Sequence, residues 1–205
     1  MKLNKIGLLL VIIGSFIIMA SKALWLRNYF EERAAAEYSE RITAEFITWV
    51  YNPIEIAINR EFDSSVSNDV QSEDDNFIVI EGAMYIGVIS IPTLGLSLPI
   101  NRTWSNSALR NTPCRYSGNI HENSLVIGAH NYAKHFRNIY NLLNGDQIIF
   151  LCAEGIEHLF EVVSMETVHP SNRDSVIYSD YDLTMFTCTF DGQARIVVRC
   201  VRTIE

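Results

Sequence analysis

The hydrophobic texture of the chain changes sharply along its length. Residues 6–20 form an unbroken, mostly apolar run that continues past Lys22 to Leu26. At 1.5 Å per residue the longer stretch reaches about 31 Å, enough to cross the hydrocarbon core if Lys22 snorkels outward. From 28 to 62 helix formers dominate, and Tyr38, Ile42, Phe46 and Ile47 recur at near-helical spacing, which predicts a membrane-proximal helix. Residues 63–76, with Ser64-Ser65 and Glu73-Asp74-Asp75, are polar and acidic and read as a flexible linker. Beyond them, apolar or alternating runs at 85–91, 96–100, 125–129, 147–152 and 159–165 are separated by turn formers such as Pro92-Thr93-Leu94-Gly95 and Asn144-Gly145-Asp146. This pattern predicts one all-β domain over 77–205, roughly 130 residues and large enough for a substantial core. Short helices are expected at 105–110 and 138–143.

The last two runs, 183–188 and 195–200, flank a loop containing the turn formers Asp191 and Gly192 and therefore predict an antiparallel hairpin. In the simplest register Cys188 opposes Arg195, Phe186 opposes Val197 and Thr184 opposes Arg199, all on one face. Directly opposed residues place their Cβ atoms about 5 Å apart. Leu183, Met185, Thr187, Ile196, Val198 and Cys200 fall on the other face, which reads as core. A thiol and a guanidinium thus project together from the more polar side, although a slip of one residue would invert both faces. Upstream, Gly128-Ala129-His130 sets a histidine at the end of an apolar strand beside two small residues. An imidazole could take the thiol's proton and return it to a leaving amine. Among competing groups, His135 is an alternative acid/base group, Arg199 reads as a structural or rim arginine, and His121, His158 and His169 lack metal-ligand spacing.

These segments resemble the sortases, the membrane-anchored cysteine transpeptidases of Gram-positive bacteria. The family's T-L-x-T-C signature appears within Leu183-Thr184-Met185-Phe186-Thr187-Cys188, with Met185 where the family often has Leu, and its R-hydrophobic-V-V segment is matched by Arg195-Ile196-Val197-Val198. Its G-H strand is matched by Gly128-Ala129-His130, with Ala129 inserted, and its entry strand by residues 85–92. The likeness spans roughly residues 80–202. It implies a closed eight-stranded sortase-type β-barrel, which strand counting alone does not distinguish from a sandwich. It implies that Cys188 cleaves an LPXTG-like sorting signal through a thioester, that Arg195 supports the oxyanion and that His130 is the acid and base. The acceptor would be an amine such as that of lipid II or another peptidoglycan precursor, or a pilin lysine; no metal or organic cofactor is implied. Val168, Pro170, Val176 and Ile177, in or beside the connection before the nucleophile strand, are the expected sorting-signal contacts. Thr187 is a candidate oxyanion contact, although the register turns it inward.

The chain lacks the Asp-Pro-aromatic lid motif and carboxy-terminal membrane segment usual in pilus-building members. The dozen or so residues from 169 to 182 leave little room for the extra helix of class B enzymes. A class A, D or E anchoring role is the expectation. The amino-terminal segment is expected to be an uncleaved single-pass anchor with the domain outside the cell; Ser21-Lys22-Ala23 leaves a cleaved signal peptide as the rival. A net charge of −8 argues against a nucleic-acid partner. The four cysteines are expected to be free thiols, with a disulfide-stabilised, non-enzymatic surface domain as one alternative and a cysteine peptidase as another. An L,D-transpeptidase would normally carry a Ser-His-Gly-Cys segment, which is absent.

Overall fold

The computed structural model describes residues 5–52, 76–178 and 180–203. Helix α1, Lys5–Tyr51, runs without interruption, so the expected anchor and membrane-proximal helix are one element. Most of the predicted linker, and the end of the predicted helix beyond residue 52, lie outside the described residues. The apolar part of α1 is long enough to cross a membrane and is not buried by the other described residues. Its distal half is different. Ile42 and Phe46 are completely buried against Ile78, Ile80, Tyr85 and Val88. Tyr38 and Tyr85 share a hydroxyl hydrogen bond of 3.1 Å, and the Ser39 hydroxyl donates to the Asn111 carbonyl at 2.8 Å. The helix is therefore fastened along one side of the domain.

The strands are β1 Ile78–Ile80, β2 Ala83–Ile91, β3 Leu96–Asn101, β4 Cys114–Ser117, β5 Leu125–Gly128, β6 Gln147–Cys152, β7 Glu157–Val168, β8 Leu183–Cys188 and β9 Arg195–Arg202. Eight of them pair in the order β2-β3-β4-β5-β8-β9-β7-β6, and β6 pairs with β2 to close the ring. The short β1 adds only to β2. The result is the closed eight-stranded barrel the resemblance implied, filled by Ile89, Leu98, Leu125, Ile127, Phe150, Phe160, Met185 and Val198 among others. Closure leaves no free edge among these strands to template aggregation. Two strands escaped the hydrophobic pattern, β1 and β4. The first has only three residues, and the second, Cys-Arg-Tyr-Ser, has one buried position.

The predicted helix at 105–110 is α2, Asn106–Asn111, with the Ser105 hydroxyl accepting from the Ala108 N–H at its amino end. The other predicted helix forms as a 3-10 turn at Arg137–Asn141. A single helical turn, α3 at Asp174–Ile177, lies in the connection between β7 and β8.

Candidate active site

The hairpin forms in the expected register: Cys188 opposes Arg195, Phe186 opposes Val197 and Thr184 opposes Arg199. Its inner face is core as expected, with Leu183, Met185, Val198 and Cys200 fully buried. The outer face is largely covered. Only its Cys188 end is open; Thr184, Phe186, Val197 and Arg199 are buried beneath the β7–β8 connection. Val126, Val168, Val176, Phe186 and Val197 make a second apolar cluster there. Arg199 fastens this cover, pairing with Glu166 at 2.8 Å, donating to Thr184 Oγ1 at 3.1 Å and reaching the Ser175 and Val176 carbonyls. It is structural, as its position two pairs from the thiol suggested.

Cys188, the last residue of β8, is exposed and free. On one side of β8 lies antiparallel β9 with Arg195; on the other lies parallel β5, with Gly128 opposite Phe186. Three hydrogen bonds carry this parallel alignment beyond the end of β5. Ala129 N–H donates to Phe186 O at 3.1 Å, Thr187 Oγ1 donates to Ala129 O at 2.9 Å and Asn131 Nδ2 donates to Cys188 O at 3.0 Å. His130 is thereby brought level with Cys188, one inter-strand spacing of about 4.8 Å to the side. Alternation sets the faces. A Cβ on Gly128 would lie 2.6 Å from Phe186 Cζ and 2.7 Å from the Trp104 ring, so position 128 faces outward and must be glycine. His130, two residues on, returns to that outward face, as Cys188 does two residues after Phe186. The Arg195 guanidinium lies over the Phe186 ring, 5.5 Å from its centroid. Positions 130, 188 and 195 therefore form a row across three adjacent segments, with the Arg195 guanidinium leaning back over Phe186.

Phe186 is itself held by Trp104 and Tyr116, with ring centroids 5.9 and 5.2 Å away. On this platform Arg195 Nη1 is buried and has no hydrogen-bond partner among the described residues. A buried, unpaired donor is costly and becomes useful if a substrate oxygen completes it. His130 is half-buried, and burial holds its pKa below the ordinary imidazole value; Arg110 adds to the depression and Glu31 opposes it. Its ring stands 5.1 Å from that of Tyr132, which is 5.4 Å from that of His135. His135, the competing acid/base group, is completely buried, with Nε2 3.3 Å from Ser39 Oγ, and burial lowers its pKa to about 4. It has no exposed surface to offer a substrate.

The remaining expected contacts divide. Pro170 and Ile177 are partly exposed in the β7–β8 connection, whereas Val168 and Val176 lie within the second cluster, Val176 with no exposed surface. Val176 can shape a pocket wall only from behind. Thr187 is 1% exposed with its hydroxyl committed to Ala129, so its side chain is turned away from the outer face that carries Cys188. Cys114, Cys152 and Cys200 are free and buried, with burial raising their thiols to about 12, 11 and 12. No disulfide forms among the four cysteines, which removes the disulfide-stabilised alternative. Among the described residues, no group of three or more His, Cys, Asp or Glu is placed to hold a metal ion.

Asn131 and Arg137 are further members of the site. Arg137 Nε donates to Asn131 O at 3.2 Å and to its Oδ1 at 3.3 Å, while Nη2 donates to Asn131 O at 3.1 Å and pairs with Glu32 of α1. A line of polar contacts thus runs from α1 to the carbonyl of Cys188. None of Asn131, Arg137, Trp104 and Tyr116 stood out in the sequence; adjacency to His130 was the one available signal, for Asn131.

A family model for the sortase domain matches residues 89–203. The chain belongs to the sortase family. Three solved sortases illustrate the shared fold. A Clostridium perfringens sortase D5 transpeptidase is 20% identical, with a TM-score of 0.57 over 84% of this chain and 99% of that one. Sortase C-1 from Streptococcus pneumoniae is 22% identical, with a TM-score of 0.57 over 80% of this chain and 99% of that one. A C. perfringens sortase C, solved with the C-terminal cell wall sorting motif, is 22% identical, with a TM-score of 0.54 over 80% of this chain and 91% of that one. No match was found among curated protein sequences. As a sortase, the protein is a cysteine transpeptidase, and its long apolar amino-terminal helix suits membrane anchoring.

Proposed function

We propose that this sortase cleaves an LPXTG-like sorting signal with Cys188 and transfers the upstream protein to an amine of the cell wall, with lipid II or a related peptidoglycan precursor as acceptor. The row of His130, Cys188 and Arg195 carries this reading. The thiol proton passes to His130, whose depressed pKa leaves it neutral and ready to accept at pH 7. The thiolate attacks the threonine carbonyl, and Arg195 Nη1 donates to the developing oxyanion, a contribution of about 3 kcal/mol to the barrier in comparable sites. His130 then protonates the leaving amine, and a thioester remains on Cys188. The incoming amine attacks that thioester, gives its proton to His130 and restores the thiol.

The sorting signal would lie over the β7–β8 connection, touching Pro170 and Ile177, with Val168 and Val176 beneath. An anchoring role of class A, D or E type, rather than pilus polymerisation, is supported by the absence of any Asp-Pro pair from the sequence. An uncleaved α1, with Lys2 and Lys5 on the cytoplasmic side, would hold the catalytic domain outside the cell. The test is product analysis with an LPXTG peptide. Transfer to added triglycine supports the proposal, and amine-insensitive hydrolysis would identify a peptidase instead.

A further inference from the structure

Three observations bear on where this catalytic site stands relative to the membrane. First, α1 is bolted to the barrel through Ile42, Phe46, Tyr38, Ser39 and the Glu32–Arg137 pair, so the height of the barrel above the apolar span is fixed. Second, that span ends in aromatic residues: Trp25, Tyr29 and Phe30 are 65%, 48% and 61% exposed, and the Trp25 and Tyr29 rings stack. Such residues mark the lipid–water border. Third, a cleft of about 450 Å³ lies between α1 and the turn joining β8 to β9, lined by Asn28, Glu31 and Glu32 on one side and Thr189, Phe190 and Asp191 on the other. Asn28 is only two residues, or about 3 Å of helix rise, beyond Leu26. The turn beside Cys188 is therefore level with the first polar turn of the helix.

Phe190 is 93% exposed in this otherwise polar turn. It is also held firmly in place. Thr189 N–H donates to Ala194 O at 2.8 Å, Gly192 N–H to Thr189 O at 2.9 Å, and Gln193 N–H to Asp191 Oδ1 at 3.1 Å. A rigid turn presenting one aromatic ring to the outside, at the level of an aromatic girdle, has the form of a membrane contact. Of the nearby carboxylates, Glu31 pairs with Arg27 and Glu32 with Arg137, while Asp191 is turned back into the turn, accepting from the Thr189 hydroxyl and the Gln193 N–H.

We propose that the β8–β9 turn rests on the bilayer surface through Phe190, continuing the aromatic girdle of α1, so that the Cys188 thioester opens beside the headgroups. The partner is the phospholipid surface itself, and the arrangement favours an acceptor amine carried on a lipid over one free in solution. This inference rests on α1 spanning the membrane.

The test uses the full chain in vesicles of phosphatidylcholine and phosphatidylglycerol, 3:1. In a Cys188→Ala background, single cysteines replace Phe190, Met19 or Glu40 and carry a nitroxide whose accessibility to oxygen and to a water-soluble nickel complex reports depth. The label at 190 is expected to lie in the headgroup layer, between the buried reading at 19 and the aqueous reading at 40. A label at 190 as water-exposed as that at 40, with 19 buried, overturns the inference; a label at 19 in water removes the anchor reading instead. In the active enzyme, Phe190→Ser is expected to slow transfer to a glycine peptide coupled to phosphatidylethanolamine roughly tenfold, while leaving transfer to soluble triglycine in detergent unchanged. Equal loss with both acceptors would also overturn it.

Discussion

Phe186→Leu separates support of the site from support of the fold. Phe186 is 5% exposed and meets Trp104, Tyr116 and the Arg195 guanidinium at 5.9, 5.2 and 5.5 Å. Leucine keeps most of the apolar burial but removes the ring. Each aromatic contact is worth about 0.5–1.5 kcal/mol beyond burial, and the cation–π contact about 0.5–1 kcal/mol. The variant is expected to lose about 2–3 kcal/mol of stability, read as a fall in urea midpoint at unchanged slope. Only the Arg195 share reaches the chemistry. With its platform gone, the Nη1 donor is no longer held in place, and about 1 kcal/mol of lost transition-state stabilisation corresponds to roughly a fivefold fall in kcat/KM. Steady-state cleavage of a fluorogenic LPXTG peptide measures it. A variant that unfolds more easily yet keeps the wild-type kcat/KM would refute the idea that Phe186 positions Arg195.

Arg199→Met should cost about 3–5 kcal/mol in urea unfolding, because it strands Thr184 and the Ser175 and Val176 carbonyls beneath their cover; a cost below 1 kcal/mol would contradict the structural role. Asn131→Ala should lower kcat several-fold with little change in KM, since it removes the bond that aligns the His130 segment with Cys188. Acid should weaken the fold through His135. Its folded pKa of about 4 lies below the unfolded value of 6.5, so the native state resists the proton that the unfolded chain takes up. Stability is fully present above pH 6.5 and falls toward pH 4, by about 3 kcal/mol over the interval. A His135→Asn variant should lose most of that pH dependence in urea titrations.

The legible parts of the sequence were those governed by local period and turn chemistry. The hairpin register followed from two alternating strands and the Asp191-Gly192 turn, and it set Arg195 opposite Cys188 directly. Barrel closure was not legible, because the β6–β2 pairing joins segments about sixty residues apart and no local pattern encodes it; family resemblance supplied it. The cover over the rest of the hairpin's outer face was not legible for a similar reason. Thr184 and Arg199 are polar, yet the α3 turn and Glu166 satisfy and cover them. Thr187 points inward, as the alternation indicated, and its bond to Ala129 O makes it part of the His130 scaffold. Gly128 was legible only as a small residue; its necessity arises from Trp104, which sequence does not place nearby.

The most direct test of the central claim is intact-mass analysis of the protein after brief incubation with an LPXTG peptide, followed by peptide mapping. The expected result is an acyl adduct of the peptide's LPXT portion on Cys188, discharged by triglycine and absent from Cys188→Ala, while Cys114, Cys152 and Cys200 remain unmodified. Turnover by Cys188→Ala, or an adduct on any other residue, would contradict the account.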